Sequence, residues 1–319
     1  MLACHELTAI LNRGAKAAES AIFREYAELR QLVQTDAVPG RIIAPNKFVH
    51  FVQQVAAKKG RTLFTGWAQN DMSEFLIFVF DCIHESIARK VLMRIEGQPK
   101  NPTDHIAIAA YTMLKDVYSR EYSELMETFY GIYITTFTAT SGAGPSGGPR
   151  STKPEQFFVL DLPIVGANAP LNNLYDCFDT FVAPEILQGE NAYFDESANA
   201  KIAAEKRTVF WSFPQVLVIT LNRFSAHRKL GHAVEFPVDD ALDLSKYAVG
   251  YRSNNRYRLF AVCNHMGGTS GGHYTAHVKY GKTWYLCNDS AIATDDRISY
   301  SDAYCLFYRT EGAFGITEG

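Results

Sequence analysis

The chain has 319 residues, 47% of them hydrophobic and 13% aromatic, which is enough to bury the core of one enzyme-sized domain. Its 31 basic and 34 acidic side chains leave a formal net charge of −3, so no basic excess points to a polyanion and nucleic acid is not an expected partner. The six cysteines (Cys4, Cys82, Cys177, Cys263, Cys287 and Cys305) contain no C-x-x-C pair, which suits reduced thiols in the cytoplasm or nucleus better than a secreted disulfide framework.

Met1–Leu7 lacks the basic and apolar regions of a signal peptide, and a helical pattern begins at once. No apolar run is long enough to span a bilayer, so no membrane is expected. Phe48, Phe51, Val52 and Val55 recur at helical spacing, and Pro45 and Asn46 mark the start of that helix. After a polar turn at Lys58-Lys59-Gly60-Arg61, a second apolar stripe runs through Met72, Phe75, Leu76, Val79, Phe80, Ile83 and Ile87. Asp71 with Glu74 resembles a capping box at its start. Residues 138–154 are rich in Gly, Ser, Thr and Pro and are expected to form a flexible inserted loop.

Strand patterns dominate beyond that loop. Phe157–Leu162 and Gln215–Leu221 read as strands, the second buried on both faces. Further strands are predicted over Tyr257–Asn264, Tyr274–Tyr280, Thr283–Cys287 and Tyr304–Arg309. Helices first and strands later predict an α+β fold.

The segment Gly271-Gly272-His273-Tyr274-Thr275-Ala276-His277 carries the strongest chemical signal. The glycine-rich stretch from Met266 is expected to be a loop that delivers His273 to the first position of a strand. The next strand ends in Asn288-Asp289, and an antiparallel neighbour would bring one of these against the His273 ring. An imidazole held by Asn or Asp is the orienting half of a Cys-His-Asn/Asp triad. Taken alone, a strand-edge histidine beside an ordinary turn explains the same residues. His277 shares the face of His273 but lies deeper in the strand.

These boxes resemble the ubiquitin-specific protease family. Gly272-His-Tyr-Thr-Ala-His-Val278, then Trp284-Tyr-Leu-Cys-Asn-Asp-Ser290, is similar to the family's histidine box, and Ala303–Arg309 to its closing strand. Gln69-Asn-Asp-Met-Ser-Glu-Phe-Leu76 resembles the family's Gln-Gln-Asp box. Pro214–Phe224 resembles its buried strand, with Asn222 where lysine is usual. Leu160–Ile164 and Glu185–Tyr193 fit the connecting segments, so the likeness covers nearly the whole chain.

The resemblance implies a papain-like cysteine protease fold in a single domain over 1–319, with a helical thumb to about 130, fingers over about 131–210 and a palm from about 211. It implies that His273 is the general base and Asn288 its orienter, with Asp289 as the stand-in. Gln69, Asp71, Glu74, Gly271, Gly272 and Tyr274 would contact the C-terminal tail of ubiquitin. The implied partners are ubiquitin and ubiquitinated proteins, and the implied reaction is hydrolysis after ubiquitin's terminal glycine. A non-catalytic ubiquitin-binding module and a protease for a ubiquitin-like modifier are the alternatives.

The chain departs from the family in two places. Many members hold a structural zinc with two C-x-x-C pairs, but here the second pair aligns with Asp195 and Ala198, and the first falls near Thr135–Thr140, which has no cysteine. No metal or other cofactor is expected. The family's Asn-x-x-Cys box is also not found. Cys4-His-Glu-Leu resembles the stretch just beyond that box, so the nucleophile is expected upstream of Met1, with Cys4 itself and a loss of catalysis as the alternatives.

Overall fold

The computed structural model describes residues 1–13, 20–35, 42–66, 69–140, 151–225, 228–252, 254–269 and 271–312. Six helices come first: α1 (His5–Arg13), α2 (Ala21–Thr35), α3 (Asn46–Lys58), α4 (Met72–Ile87), α5 (Pro102–Arg120) and α6 (Glu124–Phe129). The start of α3 agrees with the sequence pattern, and its first turn closes from the Val49 N–H to the Pro45 carbonyl at 2.9 Å. At the start of α4 the Asp71 carboxylate accepts the backbone N–H groups of Ser73 (2.8 Å) and Glu74 (3.1 Å). Such a cap is worth about 1 kcal/mol. The α4 stripe of Leu76, Val79, Phe80 and Ile83 packs into a core shared with Leu7, Ile22, Val52 and Phe129. Phe80 stacks on Phe158 at 4.3 Å between ring centres.

The strands and one more helix come next: β1 (Gly131–Ala139), β2 (Ser151–Phe157), β3 (Val159–Leu162), α7 (Leu174–Val182), β4 (Glu185–Leu187), β5 (Tyr193–Asp195), β6 (Ala200–Ile202) and β7 (Ala204–Ser212). Then come β8 (Val216–Leu221), β9 (Leu242–Asp243), β10 (Arg256–Gly268), β11 (Gly271–Tyr280), β12 (Thr283–Asn288), β13 (Ala291–Thr294) and β14 (Ala303–Thr310). The main sheet runs β13-β12-β11-β10-β14-β8-β3, with β9 attached to β10; a second sheet runs β2-β1-β7-β4, and β5 and β6 form a separate hairpin. The loop expected over 138–154 is shorter at both ends. β1 continues through Ala139 because Thr138 and Ala139 pair with Glu205 and Ala204 of β7, and β2 begins at Ser151, which pairs with Phe137 of β1. Residues 141–150 lie outside the described residues.

β8 shows how the two layers share one sheet. Every residue in it is buried. Val216 and Val218 face the helical core, while Leu217, Ile219 and Leu221 face a second core with Leu162, Phe178, Phe210 and Tyr308. Such two-sided burial is what the continuous apolar run predicts. Just after β8, the fully buried Arg223 guanidinium donates to the carbonyls of Ala303 (2.6 Å), Leu230 (3.0 Å), His232 (2.9 Å) and Tyr300 (2.7 Å). Burial lowers its pKa to about 10. This one side chain ties the 228–232 segment and the chain before β14 to the end of β8. No helix of the described residues is long and apolar enough to cross a membrane.

Candidate active site

β10 and β11 form a long hairpin in which Met266 pairs with His273, Gly267 with Gly272, and Gly268 with Gly271. The glycines expected to form a loop are therefore part of the ladder, and His273 is the third residue of β11, not the first. Two positive φ values, +120° at Gly267 and +153° at Gly271, let the strands continue to the tip. Close approach fixes the residue type as well. A Cβ at Gly271 would lie 2.6 Å from Gln69 Oε1, and one at Gly272 would overlap His265 Nε2. The Gln69 amide brackets Gly272, accepting its N–H at 3.0 Å and donating to its carbonyl at 3.1 Å. The hairpin is thereby fastened to the residues that start α4.

His273 Nε2 lies 2.7 Å from Asn288 Oδ1. A carboxamide oxygen only accepts, so Nε2 carries the proton and Nδ1 of the neutral ring is left as the basic nitrogen. Asp289 Oδ2 is 4.0 Å from the same Nε2, on a side chain that is 80% exposed. Its φ of +49° places it in the turn between β12 and β13. His277 is engaged elsewhere: it is buried, and its Nδ1 accepts from Asn264 Nδ2 at 3.0 Å.

Beside this pair lies a cleft of about 750 Å³ lined by Gln69, Asp71, Glu74, Gly271, Gly272 and Tyr274. All six residues singled out by sequence for contact with a peptide tail thus meet in one place. Asp71 is less available than its sequence position implies. One oxygen caps α4, and the other accepts the Tyr304 hydroxyl at 2.6 Å. The cleft also contains Asp161, Thr220, Asn222 and His265, which sequence reasoning does not single out as site residues. Asp161 has a readable signal, as a carboxylate inside the otherwise apolar β3. Burial raises its pKa above the usual carboxylate value; the Thr220 hydroxyl donates to it at 2.9 Å, and Asp71 adds repulsion.

None of the six thiols is activated. Cys4 is 5% exposed, its Sγ–H donates to Glu6 Oε2 at 3.3 Å, and burial pushes its pKa up to about 12. Burial likewise raises Cys82 to about 11, Cys177 and Cys263 to about 12, and Cys287 and Cys305 above their usual value. Reactive cysteines show the opposite shift. Among the described residues, no group of three or more His, Cys, Asp or Glu could hold a metal ion. At the β5–β6 tip, Asp195 Oδ1 instead accepts from the Ser197 N–H (2.9 Å), the Ser197 hydroxyl (2.6 Å) and the Ala198 N–H (3.3 Å).

A helical layer against an antiparallel sheet, with an imidazole–carboxamide pair beside a glycine-lined cleft, is the architecture of a papain-like cysteine protease. The ubiquitin carboxyl-terminal hydrolase family model matches residues 1–308, and the chain belongs to that family. It is 32% identical over 308 residues to human ubiquitin carboxyl-terminal hydrolase 2, covering 93% of this chain and 48% of the relative. It is 32% identical over 299 residues to the Gallus gallus protein of the same name, covering 91% of this chain and 80% of the relative. The chain thus spans about half the length of the mammalian relatives. A similar solved structure, that of the SAGA DUB module of Ubp8, Sgf11, Sus1 and Sgf73 bound to monoubiquitin, has a TM-score of 0.68 at 21% identity, covering 96% of this chain and 62% of that chain. That likeness supports the fold.

Proposed function

We propose that this chain supplies the ubiquitin-recognising cleft and the proton-transfer pair of a deubiquitinating cysteine protease. The observation that carries the reading is the His273–Asn288 contact at 2.7 Å, one residue along β11 from glycines that line the cleft. With Nε2–H held by Asn288, Nδ1 of His273 takes the proton from an attacking thiol. The thiolate adds to the carbonyl of the terminal glycine, and His273 returns the proton to the departing lysine amine. Water, deprotonated by the same nitrogen, then releases the tail from the thioester.

We place the attacking thiol on a cysteine outside these 319 residues: His273 bonds to Asn288 and to none of the six thiols present, and burial raises the pKa of each of them. Gln69, Asp71, Glu74, Gly271, Gly272 and Tyr274 bind the tail: the glycines admit a Gly-Gly backbone, and the carboxylates favour a basic tail. We read the 319 residues as one domain, with the helical thumb ending near residue 130, the fingers near 210 and the palm beyond.

The test is calorimetric titration of this chain with ubiquitin and with ubiquitin lacking its two terminal glycines. Tail-dependent binding is expected. Equal binding of both forms, or none of either, would contradict the reading.

A further inference from the structure

Cys263 and Cys305 face each other within the main sheet. They are register partners on β10 and β14, next to the pairs Val262↔Leu306 and Asn264↔Ala303. Residues directly opposite in an antiparallel ladder project to the same face, with Cα atoms about 4.5–5.5 Å apart. That separation lies inside the range of about 4.4–6.8 Å that a disulfide spans. Both side chains point toward the helical core. Cys305 is fully buried there, whereas Cys263 packs against the same core and is only partly buried. Burial first, and then negative charge at Cys263, opposes ionisation of Cys305, as expected of neighbouring thiols.

The pairing is selective. Ala276 stands between Cys263 and Cys287 in the sheet, so those two cysteines are about 9–10 Å apart, too far for a disulfide. Cys177 belongs to the second core, and the Cys4 thiol donates to Glu6. The ladder is also irregular at this point, because its register shifts between Cys263 and Asn264. A break of that kind lets the strands draw together locally without displacing a regular ladder. Tyr304, the neighbour of Cys305, donates to Asp71 at 2.6 Å, so the pair lies one residue from a contact that joins the sheet to α4.

We propose that Cys263 and Cys305 are a redox-sensitive pair, which hydrogen peroxide converts into a reversible disulfide joining β10 to β14 in the folded chain. Cys263, the less buried thiol, reacts first. Its sulfur bonds to one peroxide oxygen, the O–O bond breaks, and the other oxygen leaves as water with the thiol proton. The Cys305 sulfur then attacks the Cys263 sulfur: the S–S bond forms, the S–O bond breaks, and the hydroxyl leaves as a second water with the Cys305 proton. Two thiols are thereby oxidised and one peroxide is reduced. Burial raises the pKa of both thiols, so little thiolate is present and the first step is slow. The second step is intramolecular between facing residues, which favours it over further oxidation of Cys263. The bond closes the loop that contains β11, β12 and β13, and it stabilises the fold mainly by restricting the unfolded chain.

The test treats the folded 319-residue chain with hydrogen peroxide, blocks the remaining thiols by alkylation during unfolding, and digests it without reductant for mass spectrometry. The monomer is expected to yield a peptide pair joined through Cys263 and Cys305, lighter than the reduced pair by two hydrogens and separated by dithiothreitol. The oxidised chain should melt at a higher temperature than the reduced chain, and dithiothreitol should restore the lower value. Cys263→Ser should lose both the linked pair and the rise in melting temperature. Absence of the linked pair in the treated wild type would overturn the proposal. So would a link from either cysteine to Cys4, or a linked chain that melts no higher than the reduced one. These wild-type readouts decide the matter even if Cys263→Ser does not fold.

Discussion

His273 and Cys4 differ in nearly everything that governs reactivity. The His273 side chain is 45% exposed, has one partner at 2.7 Å, and keeps a ring nitrogen free beside the cleft. The Cys4 thiol lies in the same core as Leu7, Tyr26 and Cys305 and faces a carboxylate, and burial pushes its pKa up to about 12. The first environment holds a proton carrier ready. The second holds a proton in place, because burial and a neighbouring negative charge both penalise a thiolate. On the proposed reading, only His273 of the two has the surroundings that triad chemistry needs.

The largest effect should be catalytic. In a protein that contains this chain and cleaves a ubiquitin C-terminal amide, His273→Ala should reduce turnover by about 10²–10⁴-fold in a hydrolysis assay. Retained turnover would mean that His273 is no base.

Glu74→Lys should weaken ubiquitin binding by about 2 kcal/mol in calorimetry, at the low end for a broken charge pair because Glu74 is exposed in the free chain. Unchanged affinity would remove the start of α4 from the binding surface.

The thiols are packing residues in this comparison. Cys305→Ser, which puts a hydroxyl into a fully buried site, should cost about 1–3 kcal/mol in denaturant unfolding. His273→Ala should stay within about 0.5 kcal/mol of wild type, as expected of an exposed residue.

The smallest effect concerns His277. Burial lowers its pKa, so the folded state favours the neutral ring. Its stabilising contribution is present above the unfolded histidine pKa of about 6.5 and is lost as the pH falls below that value. The melting temperature should therefore drop between pH 7.5 and 5.5, and His277→Gln should reduce the slope without removing it, because His265 shifts in the same direction.

The residues that pair along the chain are legible in the sequence. His273 and Asn288 stand 15 residues apart at facing strand ends, and Asp71 carries the ordinary signature of a helix cap. What is not legible depends on approach from distant segments. The glycines of 267–272 look like a loop by composition, but Gly267 and Gly268 pair with Gly272 and Gly271, and Gln69 and His265 occupy the space that side chains at 271 and 272 would need. The strand pattern ends at Asn264 and the glycine stretch begins at Met266, so His265 falls in neither. Arg223 has no local signal of its role, because its carbonyl partners come from segments up to 80 residues away. The facing ends of β1 and β2 are hidden at the edges of the Gly-Ser-Pro stretch because composition marks that stretch as loop, whereas pairing with β7 carries β1 to Ala139 and pairing with β1 starts β2 at Ser151.

The central claim is that this chain holds the base and the tail cleft but no reactive thiol. Treating the 319-residue chain with ubiquitin bearing a thiol-reactive C-terminus, with mass spectrometry of the intact protein and its peptides, tests it directly. Ubiquitin should bind, and none of the six cysteines should carry an adduct. An adduct on Cys4 that disappears in Cys4→Ala would contradict the claim and make Cys4 the nucleophile.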